Sequence, residues 1–204
     1  MIYFDWFVLY ECLCVLLPCL LYFGLKKEKG GHAYCVCLFV FLLYVWQVLS
    51  LTGSGGIDDI RYFWQNDGVS GILRGPVELI PFSDLDISFV LNIVMCVPLG
   101  FALPFLWRDY RKLSRTVLLG AGFSLLIEIS QLVNHRATDI NDLIANTVGA
   151  LLGYLLWRLF AACLGERLRK TTDGCRDAVI YLALGFFGRF FLYCPFLIIG
   201  LLGI

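Results

Sequence analysis

GAGFSLLIEISQLVNHRATDINDLIANTVGALLG, residues 120–153, joins two apolar segments through a short polar hairpin, NHRATDIND at 134–142. On the first segment Ser124, Glu128, Gln131 and His135 recur at steps of four, three and four. On the second, Asp139, Asp142, Asn146, Gly149 and Gly153 recur at three, four, three and four. Both series fall on single faces of α-helices. The residues between them are almost all Leu, Ile, Val, Ala and Phe, as in helices surrounded by lipid. Lipid rejects polar stripes, so two stripes joined by a tight hairpin must face each other or a shared cavity. That facing pair is the candidate working site.

The rest of the chain has the same character. It has 204 residues, 60% of them hydrophobic and only 16% charged, with a mean hydropathy of +0.81. A water-soluble domain of that composition would expose far too much apolar surface. Six apolar segments can be read: 1–25, 33–51, 87–107, 116–133, 143–163 and 178 to the C-terminus. Each supplies the roughly 17–25 residues of a spanning helix. The spacing thus predicts an all-α, polytopic membrane protein with six transmembrane helices in one domain, residues 1–204. The first segment reads as a retained span, because no basic region precedes it and Lys26, Lys27 and Lys29 follow it. Pro98 removes a backbone donor from the third segment and predicts a bend there. Between the second and third segments, IDDIRYFWQ (57–65) has the pattern of an interfacial amphipathic helix, or of a polar loop anchored by aromatic residues.

Charge orients the spans. With six crossings, twelve basic residues between Lys26 and Arg176 fall on one side, against Arg61, Arg74 and Arg136 on the other. The positive-inside rule then places both termini, the long 52–88 loop and the Arg136 hairpin outside the bacterial plasma membrane. The formal charge is zero, so nothing favours a nucleic-acid partner. At 1.5 Å per residue from the nearest basic residue, Glu11, Asn92, Glu128, Asn146 and Arg189 lie roughly 18–24 Å from the inner face. They form one layer in the outer half of the bilayer. A lone charge there costs about 2.5–3.5 kcal/mol on insertion scales, so Arg189 is expected to pair with Glu128 or Glu11. Such a layer could simply join helices. Its continuation to the surface through Gln131, His135, Arg136, Asp139 and Asp142 argues for a site instead.

Individual residues have local explanations too. Thr138 or Asp139 can cap the fifth span, and Asp142 suits its positive end. Gly149 and Gly153 make a small-xxx-small face for close helix approach. Arg136 could pair with Asp139 or Asp142, or offer its guanidinium fork to a carboxylate or phosphate. A metal is not expected, since Glu128, His135, Asp139 and Asp142 form no tight motif such as HExxH. No cofactor motif is present either. The nine cysteines lie mostly within apolar segments, form no CxxC and read as packing residues.

The order LIPF (79–82), SFVLNIVMCVPLGFALP (88–104), then SLLIEISQLVNHRATDINDLIANTVGALLGY (124–154) resembles the VanZ-like family of bacterial membrane proteins. The resemblance covers about residues 79–159, and Glu78 stands where the family pattern has an Asn. It implies a cell-envelope setting and an association with resistance to glycopeptides of the teicoplanin type, but no particular reaction. Three functions follow. The first is binding of a cell-wall precursor or amphiphilic glycopeptide, beside membrane lipid, by Asn92, Glu128, Gln131, Arg136, Asp139, Asp142 and Asn146. The second is an intramembrane hydrolase with Glu128 as acid or base and Asp142 or Asp139 as partner. The third is a transporter built on an intramembrane Glu–Arg pair, against which no inverted repeat is visible.

Overall fold

Six helices are long and apolar enough to cross a membrane, one from each apolar segment. The structure, a computed structural model, describes residues 6–26, 30–68, 75–82, 86–134, 136–164 and 175–202. His135 and six of the basic residues used for orientation (Lys27, Lys29, Arg74, Arg167, Arg169 and Lys170) lie outside them. In order, the helices are α1 (Trp6–Leu25), α2 (His32–Thr52), α3 (Ile57–Asp67), α4 (Ile87–Leu106), α5 (Leu113–Gln131), α6 (Ile140–Leu164), α7 (Cys175–Leu192) and α8 (Pro195–Leu202). The all-helical expectation holds apart from one small addition. Strand β1 (Val77–Glu78) pairs in parallel with β2 (Thr138–Asp139), which ties the long loop to the 134–142 hairpin.

The IDDIRYFWQ stretch is helical, as α3. α4 continues without a break across Pro98 and Pro104. The sixth segment differs from its expectation. It begins at Cys175, not Ala178, and divides at Tyr193–Cys194 before Pro195 opens α8. Proline suits a first helical position, where a backbone N–H would be unpaired anyway. The next donors are satisfied from elsewhere: Asp58 Oδ2 of α3 accepts from Phe196 N at 2.6 Å and from Leu197 N at 3.3 Å. Tyr62 stacks on Phe196 with ring centroids 4.4 Å apart. α3 and α8 are therefore docked on each other.

The spans sort into two packs, α1 with α2 and α7, and α4 with α5 and α6. Trp107, fully buried, fills the core where the packs meet, edge-on to Phe41 and stacked on Tyr181. α4 and α6 form the most extensive helix pair. They run parallel in a constant register, with Asn92 on Asp142, Cys96 on Asn146 and Gly100 on Ala150. Small residues make this possible. A Cβ on Gly153 would strike the Val97 carbonyl, one on Gly149 the Ile93 carbonyl, and one on Gly100 the Ala150 carbonyl. Asp86 caps α4, accepting from the Ser88 hydroxyl and the Ser88 and Phe89 amides. The Ser88 hydroxyl bond and the Phe89 amide hold its carboxyl below the usual carboxylate range.

Candidate functional site

The close α4–α6 register places polar groups face to face. Asn92 Nδ2 donates to Asp142 Oδ1 at 2.6 Å, and the Cys96 thiol donates to Asn146 Oδ1 at 3.2 Å. From the other side of α6, Asn146 Nδ2 donates to Ser124 Oγ of α5 at 2.9 Å. Glu128, one turn further along α5, is buried, and its Oε2 accepts from the backbone N–H of Asp139 at 3.2 Å. The two stripes read from the sequence thus meet across the α5–α6 hairpin.

Six of the seven anticipated binding residues, Asn92, Glu128, Gln131, Arg136, Asp142 and Asn146, line one cavity of about 760 Å³. Its opposite wall is α2, from Tyr44 to Thr52, with Leu91, Val94 and Met95 of α4. It therefore lies in the seam between the two helix packs. Asp139 stands behind it. Its Oδ1 accepts from Asn141 N at 2.8 Å, so Asp139 caps α6 and Thr138 does not. Asp139 lines a small recess of about 150 Å³ with Glu78, Asp86 and Asn141. Asn141 Oδ1 in turn accepts from Phe82 N at 2.7 Å and holds Phe82 in a left-handed conformation, φ 61°.

Gln131 is buried on this cavity with only part of its amide used. Nε2 donates to the Thr52 carbonyl at 2.8 Å, which fixes the amide's orientation, while Oε1 has no partner among the described residues. A buried unpartnered acceptor costs about 1–3 kcal/mol. Arg136 is exposed at the mouth and forms no ion pair among the described residues. Its guanidinium rests on Gly53, where φ is +59° and a side chain would collide with it. Of the two alternatives read for Arg136, pairing with Asp139 or Asp142 is absent among those residues. Among them, too, no group of three or more His, Cys, Asp or Glu is placed to hold a metal ion.

Arg189 pairs with Glu11, one of its two expected partners: Nε donates to Oε1 at 2.8 Å. The same guanidinium donates to Ser54, to Oγ at 2.8 Å and to the carbonyl, while Ser50 Oγ donates to Glu11 Oε2 at 2.7 Å. The anticipated single layer therefore splits into two networks. Glu11 and Arg189 serve the α1–α2–α7 pack; Asn92, Glu128 and Asn146 serve the α4–α5–α6 pack. The link between them is the turn GSGG, 53–56. Gly55 N donates to Ser130 Oγ at 3.0 Å, and Asn134 Nδ2 donates to the Gly53 carbonyl at 2.7 Å. Ser50, Ser54, Ser130, Asn134 and Asn141 were not singled out from the sequence. The signal available was the run of glycines directly after an apolar segment, a backbone that other elements can approach closely.

A family model described as VanZ/LLP1 matches residues 32–161, and the chain belongs to that family. The match runs from α2 into α6, wider than the motif at 79–159. No curated protein and no solved structure is detectably similar to the chain.

Proposed function

We propose that this VanZ/LLP1 family member binds the polar part of a membrane amphiphile in the seam cavity, and contributes to glycopeptide resistance, of the teicoplanin type, by doing so. Cell-wall precursors and amphiphilic glycopeptides are the two classes of ligand in view. The observation that carries the proposal is the cavity's two-sided lining. Carboxylates and amides of α5 and α6, with Asn92 of α4, stand across from apolar side chains of α2 and α4 (Val48, Leu51, Leu91, Val94 and Met95), with Arg136 at the mouth. Such a site suits a head that has hydroxyl or amine donors for Glu128 and Asp142, and an anionic group for Arg136. Its size lies within the range of small-molecule sites, so it accommodates a head group or one arm of a larger molecule, not an entire glycopeptide. In this proposal both termini and the cavity mouth face the outside of the plasma membrane.

The hydrolase alternative is favoured by one observation, that the carboxylates of Glu128 and Asp142 line the same cavity. The Glu–Arg pair behind the transporter alternative lies in a satisfied network away from the cavity wall, and lends that alternative nothing. Arg136→Ala, Glu128→Gln and Asp142→Asn, each verified at the membrane, are tested for protection against a teicoplanin-type glycopeptide and for the amphiphile that co-purifies. Loss of protection together with loss of the co-purified amphiphile is expected. Undiminished protection in all three would end the proposal, whereas Glu128→Gln retaining the amphiphile but losing protection would favour chemistry.

A further inference from the structure

The polar cavity continues along the same seam. A second cavity of about 560 Å³ begins at Tyr44 and Pro98, two residues that also line the first. It runs between α2 (Val36, Val40) and α4 (Ala102, Phe105), lined by apolar side chains apart from Tyr44. From Pro98 to Leu106 it is about 12 Å long at the helical rise. At the junction, the Tyr44 hydroxyl donates to the Met95 carbonyl at 2.8 Å, so its polar end is satisfied where polarity changes.

We infer that this α2–α4 groove takes the hydrocarbon chain of the amphiphile whose head occupies the polar cavity, and so fixes the order of the ligand's parts: chain, then hydrogen-bond donors, then anion. The inference rests on the head-group reading above. Two features of the site support it. First, both cavities are bounded by consecutive turns of the same two helices, so one extended molecule can occupy both. Second, the lining changes in sequence along the seam. The apolar groove comes first, then Asn146, then Asn92 with Asp142 and Glu128, and Arg136 comes last at the mouth. α2 and α4 are held together far less extensively than α4 and α6, which leaves the seam as a lateral path from the bilayer. A chain moving from lipid into the groove exchanges one apolar medium for another, so little hydrophobic energy is gained. What the groove provides is placement: it sets the depth at which the head meets the carboxylates.

The test uses 1-hexadecyl-glycerol 3-phosphate with a diazirine at mid-chain, in nanodiscs of the full chain. Photolysis is followed by mass-spectrometric mapping. Labels are expected on α2 and α4 between Val36 and Tyr44 and between Pro98 and Phe105. Filling the groove with Ala102→Trp, or with Val40→Phe at a more exposed position if the first fails to fold, is expected to cut that labelling at least ten-fold. Arg136→Ala is expected to cut it as well, through the phosphate. Labels that depend on Arg136 but fall outside the α2–α4 groove would overturn the chain assignment and leave the head-group reading intact. Labelling spread over the lipid-facing sides of all helices and indifferent to Arg136 would overturn both.

Discussion

Replacing Arg189 by Met removes the cation from a buried network that joins Glu11, Ser50 and Ser54. Glu11 would keep Ser50 but lose its ion pair, and Ser54 would lose two donated bonds. Breaking one side of a buried pair costs about 3–5 kcal/mol because the remaining charge is stranded. For a chain of this length, that corresponds to a fall of about 6–20 °C in melting temperature. Removing the carboxylate too, as Glu11→Leu with Arg189→Met, eliminates the stranded charge. Only the bonds to Ser50 and Ser54 are then unsatisfied, at about 1–3 kcal/mol. The double variant should therefore melt above Arg189→Met, the sign expected when two side chains act as a unit. Melting in detergent, followed by near-ultraviolet dichroism, measures this directly. A double variant melting at or below the single would refute the reasoning, and so would a single variant within 1 °C of wild type. The same pair of variants separates brace from mechanism: a stable double variant that still protects cells leaves no role for a Glu–Arg pair in transport.

Other consequences are more local. Asp58→Ala strips two amides of α8 of their acceptor, at about 1–3 kcal/mol, and hydrogen exchange should rise in residues 195–202 before it rises in α4 or α6. Gly153→Ala puts a methyl group against the Val97 carbonyl. The helices must part, at about 1–3 kcal/mol, and because Asn92 and Asp142 share that register, both melting temperature and glycopeptide protection should fall; unchanged protection would show that the contact is dispensable. A cysteine at Ala137, in a background without the native cysteines, should react with an impermeant maleimide in whole cells. Labelling only after permeabilisation would reverse the topology.

The periodicity of 120–153 was enough to predict two facing helices and the charged side of the cavity wall, because α5 and α6 are adjacent in sequence and joined by a short turn. A polar residue in lipid has few places to point. Glu128, Asp142, Asn146 and Ser124 were legible for that reason. Asp139 was legible as one of two candidate caps of α6, but not its exclusion from the cavity lining, because the residue that caps a helix turns its carboxylate to that helix's first amides. The contribution of α2 was not legible. Val48 and Leu51 are ordinary apolar residues whose importance comes from lining the same cavity as the carboxylates, and neither Gln47 nor Thr52 belongs to a polar stripe that would mark this face. Nor could the depth count separate the two polar networks. Distance along a helix sets height along the bundle but not position around it, and Glu11 and Glu128 stand in different packs with different partners.

That difference bears on which parts of the chain define the family's function. All residues lining the seam cavity, from Tyr44 to Asn146, fall within the family match at 32–161, and so do those lining the apolar groove, from Val36 to Leu156. Glu11 and Arg189 fall outside it. Yet Arg189 holds Ser54, its neighbour Gly53 supports the Arg136 guanidinium, and Gly55 is fixed by Ser130 two residues beyond Glu128. The α1–α2–α7 pack thus determines how firmly the GSGG turn sits, and the turn determines where the cation at the mouth rests. Changes in α1 or α7 should alter ligand affinity through Arg136 while leaving the carboxylate geometry untouched. Substitutions in α4 or α6 should do the reverse. A panel of Arg189 and Asn92 variants, compared for phosphate-probe affinity and for hydrogen exchange at Asp142, separates these two routes, and equal effects on both readouts from both residues would mean that the seam moves as one body.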